Sequence, residues 1–290
     1  MTADRSRPIL VIGATGRVGR LVVDQLLSGG ASVRALTRRP DAAVLPTSVE
    51  VVAGDLVVPD SLDVALQGVE AVFLLWTAPP ATVSAVIERL APHARRVVLL
   101  SSPHQTPHPF FQQPNPMARF HADIERRIAG SGLGWTIIRP GMLASNAQFW
   151  WGSMIRDGDV VRWPFGAAET APIDERDVAA VAARALCDDR HVGEDYVLTG
   201  PESLNQIEQV AIIGAALGRS IRFEELSPEE FRRETAGTWP AAAVDMLMTA
   251  WQATLGHRAY VTSTVRDVLG SPPRTFGQWA ADHTAAFSAR

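Results

Sequence analysis

The chain has no lysine. All 27 of its Lys-plus-Arg positions are arginine, so any mechanism that needs a lysine ammonium is excluded. Cysteine occurs once, at Cys187, which rules out an internal disulfide and fits a reducing compartment. Cys187 ends an alanine-rich helical stretch, where a small buried filler is expected rather than a nucleophile. No apolar run approaches the length of a bilayer span. Residues 1–8 are short and polar and lead directly into the first strand, so no signal peptide is expected and the cytoplasm is the default. A net charge of −4 creates no basic field for nucleic acid or an anionic membrane. That leaves a small-molecule substrate as the expected partner of a monomer or homodimer. Gly-x-Ser-x-Gly is absent, which removes an esterase elbow, and no His/Cys/Asp spacing suggests a metal.

What the chain does have is alternation. Short apolar strands are expected at 9–12, 33–36, 49–52, 71–75, 97–100 and 135–138, with helices near 17–28, 60–67, 81–91 and 117–130 between them. Val97-Val98-Leu99-Leu100 is apolar on successive residues, as in a central parallel strand covered on both faces. The βαβ repetition implies an α/β fold: a doubly wound parallel Rossmann sheet. Residues 103–116 carry five prolines, two histidines and Phe110-Phe111 right after the fifth strand, so they form a loop at the carboxyl edge where ligands bind. After Ile138 the strict alternation stops. Asp174 is placed to cap a helix running through Leu186, and 195–198 reads as a strand. Helices near 206–217, 228–235, 241–255 and 276–287 belong to a smaller lobe. The resulting division is a dinucleotide-binding domain over 1–150, to which 174–198 returns, and a C-terminal α/β substrate lobe over 151–173 and 199–290.

The first turn is the most specific motif. Ile9-Leu10-Val11-Ile12 runs into Gly13-Ala14-Thr15-Gly16-Arg17-Val18-Gly19, three glycines spaced G-x-x-G-x-x-G before an amphipathic helix (Val18, Leu21, Val22, Leu26). Glycine lets the backbone approach a pyrophosphate, whose charge then sits on the free N–H groups of the helix N-terminus. A second strand follows where a βαβ unit needs one. At its tip, where NAD-preferring folds carry an acidic residue for the ribose, this chain has Thr37-Arg38-Arg39-Pro40. A guanidinium there suits the 2′-phosphate of NADP(H) in preference to NAD(H). Arg17 offers a second contact, and Arg38 is favoured over Arg39, which precedes a proline. The alternative is a solvated basic turn. Gly54-Asp55-Leu56 after the third strand fits the adenine edge, or else Asp55 only shapes the turn.

Together these segments resemble the NmrA-like branch of the atypical short-chain dehydrogenases/reductases. The resemblance adds Trp135-Thr136-Ile137-Ile138-Arg139-Pro140-Gly141, Ile173-Asp174-Glu175-Arg176-Asp177-Val178-Ala179 and Tyr196-Val197-Leu198-Thr199-Gly200-Pro201, and runs from residue 8 to about 225. It implies a Rossmann domain binding NADP(H) with a small lobe closing the substrate cleft. The group mixes quinone, azo and isoflavone-type reductases and sugar-nucleotide relatives with cofactor-sensing regulators that have lost catalysis. Ordinary members of the wider superfamily use Tyr-x-x-x-Lys; here the tyrosines are Tyr196 and Tyr260, neither in that position. Atypical reductases keep a lysine early in the helix after strand five, a register that falls on His121.

His121 lies at the edge of a stripe formed by Met117, Phe120, Ile124 and Ile128, with Glu125 four residues on, close enough to orient the ring or favour its charge. It is therefore a candidate for catalysis or cofactor contact, or else a half-exposed helix histidine. Ser101 and Ser102 either bond the nicotinamide or substrate, or only cap their strand. Pro140 and Met142 run beside the expected nicotinamide site, and Asn146 and Gln148 follow as polar fixings. Trp150, Trp151 and Trp163 either line a flat aromatic pocket or glue the two lobes together. An NADPH-dependent reductase of an aromatic or quinone-like acceptor is the leading reading, since such acceptors stabilise their own developing anion. A non-catalytic sensor is its rival, and an epimerase or dehydratase is disfavoured.

Overall fold

Six apolar segments form strands β1 (Ile9–Ile12), β2 (Val33–Thr37), β3 (Glu50–Ala53), β4 (Ala71–Leu75), β5 (Arg96–Leu100) and β6 (Gly134–Pro140). Two short strands, β7 (Val160–Trp163) and β8 (Glu169–Thr170), lie outside their sheet, and β9 (Glu194–Leu198) returns to its edge. The order is β3-β2-β1-β4-β5-β6-β9 with every pair parallel. The computed structural model describes residues 7–288, so most of the polar N-terminal stretch lies outside the described residues.

Helices α1 (Arg17–Ser28), α2 (Asp63–Leu66), α3 (Val83–Leu90), α4 (Pro116–Ala129), α5 (Asn146–Asp157) and α6 (Glu175–Cys187) connect these strands. Val22, Val23 and Leu26 of α1 and Val178, Val181 and Ala182 of α6 cover one face of the sheet; α2, α3 and α4 cover the other. Val97, Val98 and Leu99 between them have no exposed surface, as their unbroken apolar run requires. Burying each such side chain contributes about 1.5–3 kcal/mol. Asp174 caps α6 as expected, its carboxylate accepting the Arg176 N–H at 2.8 Å.

A further hydrophobic core forms from α5, β7 and elements that follow β9. Strand β10 (Leu204–Asn205), helix α7 (Gln206–Ala216) and strand β11 (Arg222–Glu225) are followed by helices α8 (Pro228–Thr235), α9 (Ala241–Thr254), α10 (Thr264–Leu269) and α11 (Phe276–Asp282). β10 pairs antiparallel with β8, and β11 parallel with β7. The core gathers Trp151, Trp163, Phe231, Trp251, Phe276, Trp279 and Phe287.

Four details differ from expectation. Helix α10 packs its Val265 into the core between α1, α6 and the sheet, not into the lobe. Cys187 is exposed, because the inner positions of the last turns of α6 are taken by Ala182, Ala185 and Leu186. Met117 is 53% exposed, lying in the first turn of α4 before the stripe meets the sheet. The last helix stops at Asp282; His283 leaves helical geometry and stacks on Trp279, and a short 3-10 turn then buries Phe287.

Candidate functional site

Strand β1 lies between β2 and β4, and the helices that follow β1 and β4 cover opposite faces, so a crevice opens at its carboxyl end. The chain crosses this point at Gly13 with φ of +89°, a conformation that disfavours any side chain. Gly16 then donates its N–H to the Gly13 carbonyl at 3.0 Å and becomes the N-cap of α1. No side chain caps that helix and no acid occupies its first turn, so its leading amides face the crevice without an internal competitor. Gly19 does something different. A Cβ there would lie 2.0 Å from the Gly13 carbonyl oxygen, so its absence allows α1 to press against the turn.

The crevice is a cleft of about 280 Å³. Gly13, Thr15 and Gly16 form its floor, Thr37, Arg38 and Arg39 one wall, and Asp55 and Leu56 the other. Leu36, Val57, Leu75, Thr77 and Ala78, which sequence reasoning passed over, complete it. Seven of the residues read as cofactor contacts do not line this cleft: Arg17, Val18 and Gly19 of the glycine motif, and Ser101, Ser102, His121 and Pro140, which are taken up below. Arg17 donates to the Gln148 side chain at 3.1 Å across to α5, Val18 is buried in the core, and Gly19 is a packing position.

Arg38 and Arg39 are exposed, and among the described residues neither guanidinium has a carboxylate partner or a hydrogen bond. Asp55 behaves as a turn former: its Oδ1 accepts the Val57 N–H at 3.0 Å, and its own N–H donates to Ser61 Oγ at 2.9 Å.

At the ends of β5 and β6 lies a buried charge cluster. Glu125, 5% exposed on the inner face of α4, accepts Nε and Nη2 of Arg139 at 3.0 and 2.9 Å. Ser101 Oγ also donates to Glu125, and Arg139 Nη1 reaches Asp195 on β9. His104 Nε2 stands 3.6 Å from Glu125 Oε2. Ser101 is thereby committed to Glu125, while Ser102 bonds His104 and faces a second, apolar cavity of about 80 Å³. That cavity lies between the proline-rich loop (Phe110, Phe111, Asn115) and Met246, Leu247 and Ala250 of α9.

His121 departs from expectation. Glu125 does not orient it, because both carboxylate oxygens are taken by Arg139 and Ser101. The imidazole is half-buried with Nδ1 unpartnered, and burial lowers its pKa despite the pull of Glu125. It lines neither cavity. A charged Arg139 inside an otherwise apolar strand was the sequence signal for the cluster that replaced it.

Among the residues read as substrate contacts, Met142 and Gly141 border a small gap shared with His108, Phe111 and Tyr260. Pro140 is buried at the end of β6, and Asn146 turns its amide onto the Met142 sulfur. Trp151 has no exposed surface and lines none of the cavities described above, which corrects its assignment as a pocket residue. Its neighbour Trp150 is half-buried against Trp163 and Trp251. The tryptophans hold the lobe together.

A cleft of this form at the switch point of a doubly wound sheet is a dinucleotide-binding crevice. The model of the NAD(P)H-binding family matches residues 13–189, and the chain belongs to that family, as the NmrA-like resemblance implied. It is 38% identical to a (4-alkanoyl-5-oxo-2,5-dihydrofuran-3-yl)methyl phosphate reductase of Streptomyces griseus, over 97% of this chain and 99% of that one. It is 32% identical to the NAD(P)H azoreductase of Xenophilus azovorans, with coverage of 97% and 99%. The NADPH complex of an Escherichia coli quinone oxidoreductase shares the fold at a TM-score of 0.78 and 23% identity, over 94% and 99% of the two chains. Among the described residues no helix is long and apolar enough to cross a membrane.

Proposed function

We propose that this protein is a reductase that uses NADPH to reduce a small, flat, neutral acceptor of the quinone or azo kind. The observation that carries this reading is a pair of unpartnered guanidiniums, Arg38 and Arg39, on the wall of the cleft whose floor is the glycine turn. A cation at the tip of the second strand fits a 2′-phosphate and not a bare ribose hydroxyl, which supports NADPH over NADH. The amides of Gly13 to Gly16 and the start of α1 would hold the diphosphate, and Leu36, Asp55 and Leu56 would flank the adenine. When bound, the cofactor supplies the hydride. The chain's own part is to place the acceptor and to exclude water from it.

The apolar cavity beside Ser102 is the fitting acceptor site. Its wall combines Phe110, Phe111, Met246 and Leu247 with the polar groups of Ser102, His104, Gln113 and Asn115, and has no arginine. The Streptomyces griseus relative is named for a phosphate ester. A wall without a guanidinium suits an unphosphorylated acceptor instead. The division into a binding domain (1–150 with 174–198) and a substrate lobe is part of the same proposal.

A second reading, a cofactor sensor without turnover, is favoured by one observation: the chain has no lysine, and His121, which holds the register of that lysine, is half-buried and lines neither cavity. The two readings separate when purified protein is incubated with NADPH and either menadione or methyl red. Steady loss of the reduced-nicotinamide absorbance supports the reductase. Tight NADPH binding by calorimetry without turnover supports the sensor. No binding of either nicotinamide dinucleotide defeats both.

A further inference from the structure

Hydride addition to a quinone leaves an oxyanion that needs a proton, and the wall of the apolar cavity has neither lysine nor tyrosine to give one. We propose that the Ser102 hydroxyl delivers this proton and that His104, backed by Glu125 and Arg139, resupplies it. The inference rests on the reductase reading above.

Both residues lie on the cavity wall, in the loop that leaves β5. His104 Nδ1 is 3.1 Å from the Ser102 carbonyl oxygen and 3.2 Å from Ser102 Oγ. A carbonyl only accepts, so Nδ1 carries a hydrogen before the step. Nε2 is then turned inward, buried and without a hydrogen bond, 3.6 Å from Glu125 Oε2. Glu125 and Asp195, the latter half-exposed, bring two carboxylates to the single guanidinium of Arg139, and His104 Nε2 faces the Glu125 carboxylate from the loop. The other titratable group facing His104 is His121, which burial holds toward its neutral form, so it does not compete for a proton.

The step balances simply. The hydride, with its two electrons, comes from NADPH, which is left oxidised. The Ser102 O–H bond breaks as an O–H bond forms on the acceptor oxyanion, and the Nδ1 proton of His104 passes to Ser102 Oγ. The imidazolium becomes a neutral imidazole that keeps its Nε2 proton toward Glu125, and solvent restores the lost one. Ser102 is the catalytic residue in this scheme; His104 and Glu125 are positioning residues.

The test uses the full chain with NADPH and menadione, read both by turnover and by NMR of the histidine Cε1–H signals. His104→Asn should lower kcat about a hundredfold, leave NADPH affinity within about twofold, and abolish the alkaline limb of the pH–rate profile. Ser102→Ala should lose as much turnover while the His104 ring still titrates. Glu125→Gln should shift the His104 titration midpoint to lower pH whether or not acceptor is present. Wild-type turnover that His104→Asn retains, with an unchanged pH limb, overturns the assignment, as does a midpoint unmoved by Glu125→Gln. Should Glu125→Gln not fold, the Ser102→Ala and His104→Asn pair decides alone. Wild-type protein that binds NADPH yet reduces neither menadione nor methyl red removes the reductase reading itself, and the proton-delivery role falls with it.

Discussion

Replacing Gly19 by alanine sets two effects of opposite sign against each other. Gly19 lies inside α1, where alanine is the better helix former by about 1 kcal/mol. Its added methyl, however, would stand 2.0 Å from the Gly13 carbonyl oxygen, 2.6 Å from the Gly13 carbonyl carbon and 3.1 Å from Ala14 Cα. All three are backbone atoms, so no side-chain rotation relieves the clash. Restoring ordinary van der Waals contact needs α1 and the turn to separate by more than 1 Å, roughly. Overpacking of this kind costs about 1–3 kcal/mol, enough to cancel the propensity gain or exceed it. With an unfolding entropy of about 2.1 cal/mol/K per residue, the resulting net loss of up to about 2 kcal/mol lowers Tm by up to about 3 °C in a chain of this length. Binding should suffer more, because the separation moves the amides proposed to hold the diphosphate beyond the ~0.5 Å tolerance of a preorganised site. Gly19→Ala should therefore weaken NADPH by at least about tenfold in calorimetry while melting only slightly earlier. Unchanged affinity together with a raised Tm would refute the argument.

Arg38→Asp should weaken NADPH by about 1.5–3 kcal/mol, the worth of a charge-assisted hydrogen bond, and leave NADH within about threefold; equal loss for both would remove the 2′-phosphate assignment. Arg139→Leu leaves Glu125 as an unpaired buried charge, and chemical denaturation should register a loss of about 3–5 kcal/mol, with Arg139→Leu/Glu125→Leu recovering a substantial part. A double variant no more stable than the single would show that the cluster's charge is not what matters. Burial lowers the ring pKa of His108, His121 and His191 below the ordinary 6.5. The unfolded chain then takes up protons that the folded one refuses as pH falls below that value, so stability is full above it and declines toward the depressed pKa values. The denaturant midpoint should be lower at about pH 5.5 than at 7.5, with a shallower decline in His191→Gln; a flat profile would contradict the sign.

How much was readable depended on whether a signal was local. The glycine turn, the α6 cap at Asp174 and the buried run 97–100 each follow from the backbone preferences or periodicity of a few neighbouring residues. The sheet order followed from them, given the rule for parallel crossovers. The proposed acceptor site was not readable, because its walls come from the loop after β5 and from α9, more than a hundred residues apart, and no periodicity links them. His104 stood out in the sequence only as one of two histidines in a proline-rich loop. That loop is nonetheless fixed by its own turn bonds, such as Thr106 N–H to Pro103 and Phe111 N–H to His108. His121 misled for the converse reason: spacing placed Glu125 near it, yet Arg139, on another element, presents two donors to that carboxylate. Trp151 could not be told from Trp150 in the sequence, since adjacent helix positions differ only in which way the helix faces.

The tryptophans still bear on the acceptor, though by an indirect route. Phe110 of the loop meets Trp251 of α9 edge-on at 4.8 Å, and Trp150 of α5 meets the same ring at 5.5 Å. One indole thus ties together the loop and α9, the two walls of the apolar cavity, and the helix that follows β6. Among the described residues the indole N–H groups of Trp151, Trp163, Trp251 and Trp279 are buried without a partner, an arrangement that costs about 1–3 kcal/mol apiece and that buried tryptophan usually avoids. Phenylalanine would remove that penalty but would leave a void where the second ring had been, and a cavity costs as much again. What the lobe retains is therefore bulk and rigidity, not hydrogen bonding. A cavity whose opposite walls are braced against one buried ring has little freedom to widen. Under the proposed function, selectivity for thin, planar acceptors would follow from the stack behind the wall as much as from the side chains lining the cavity.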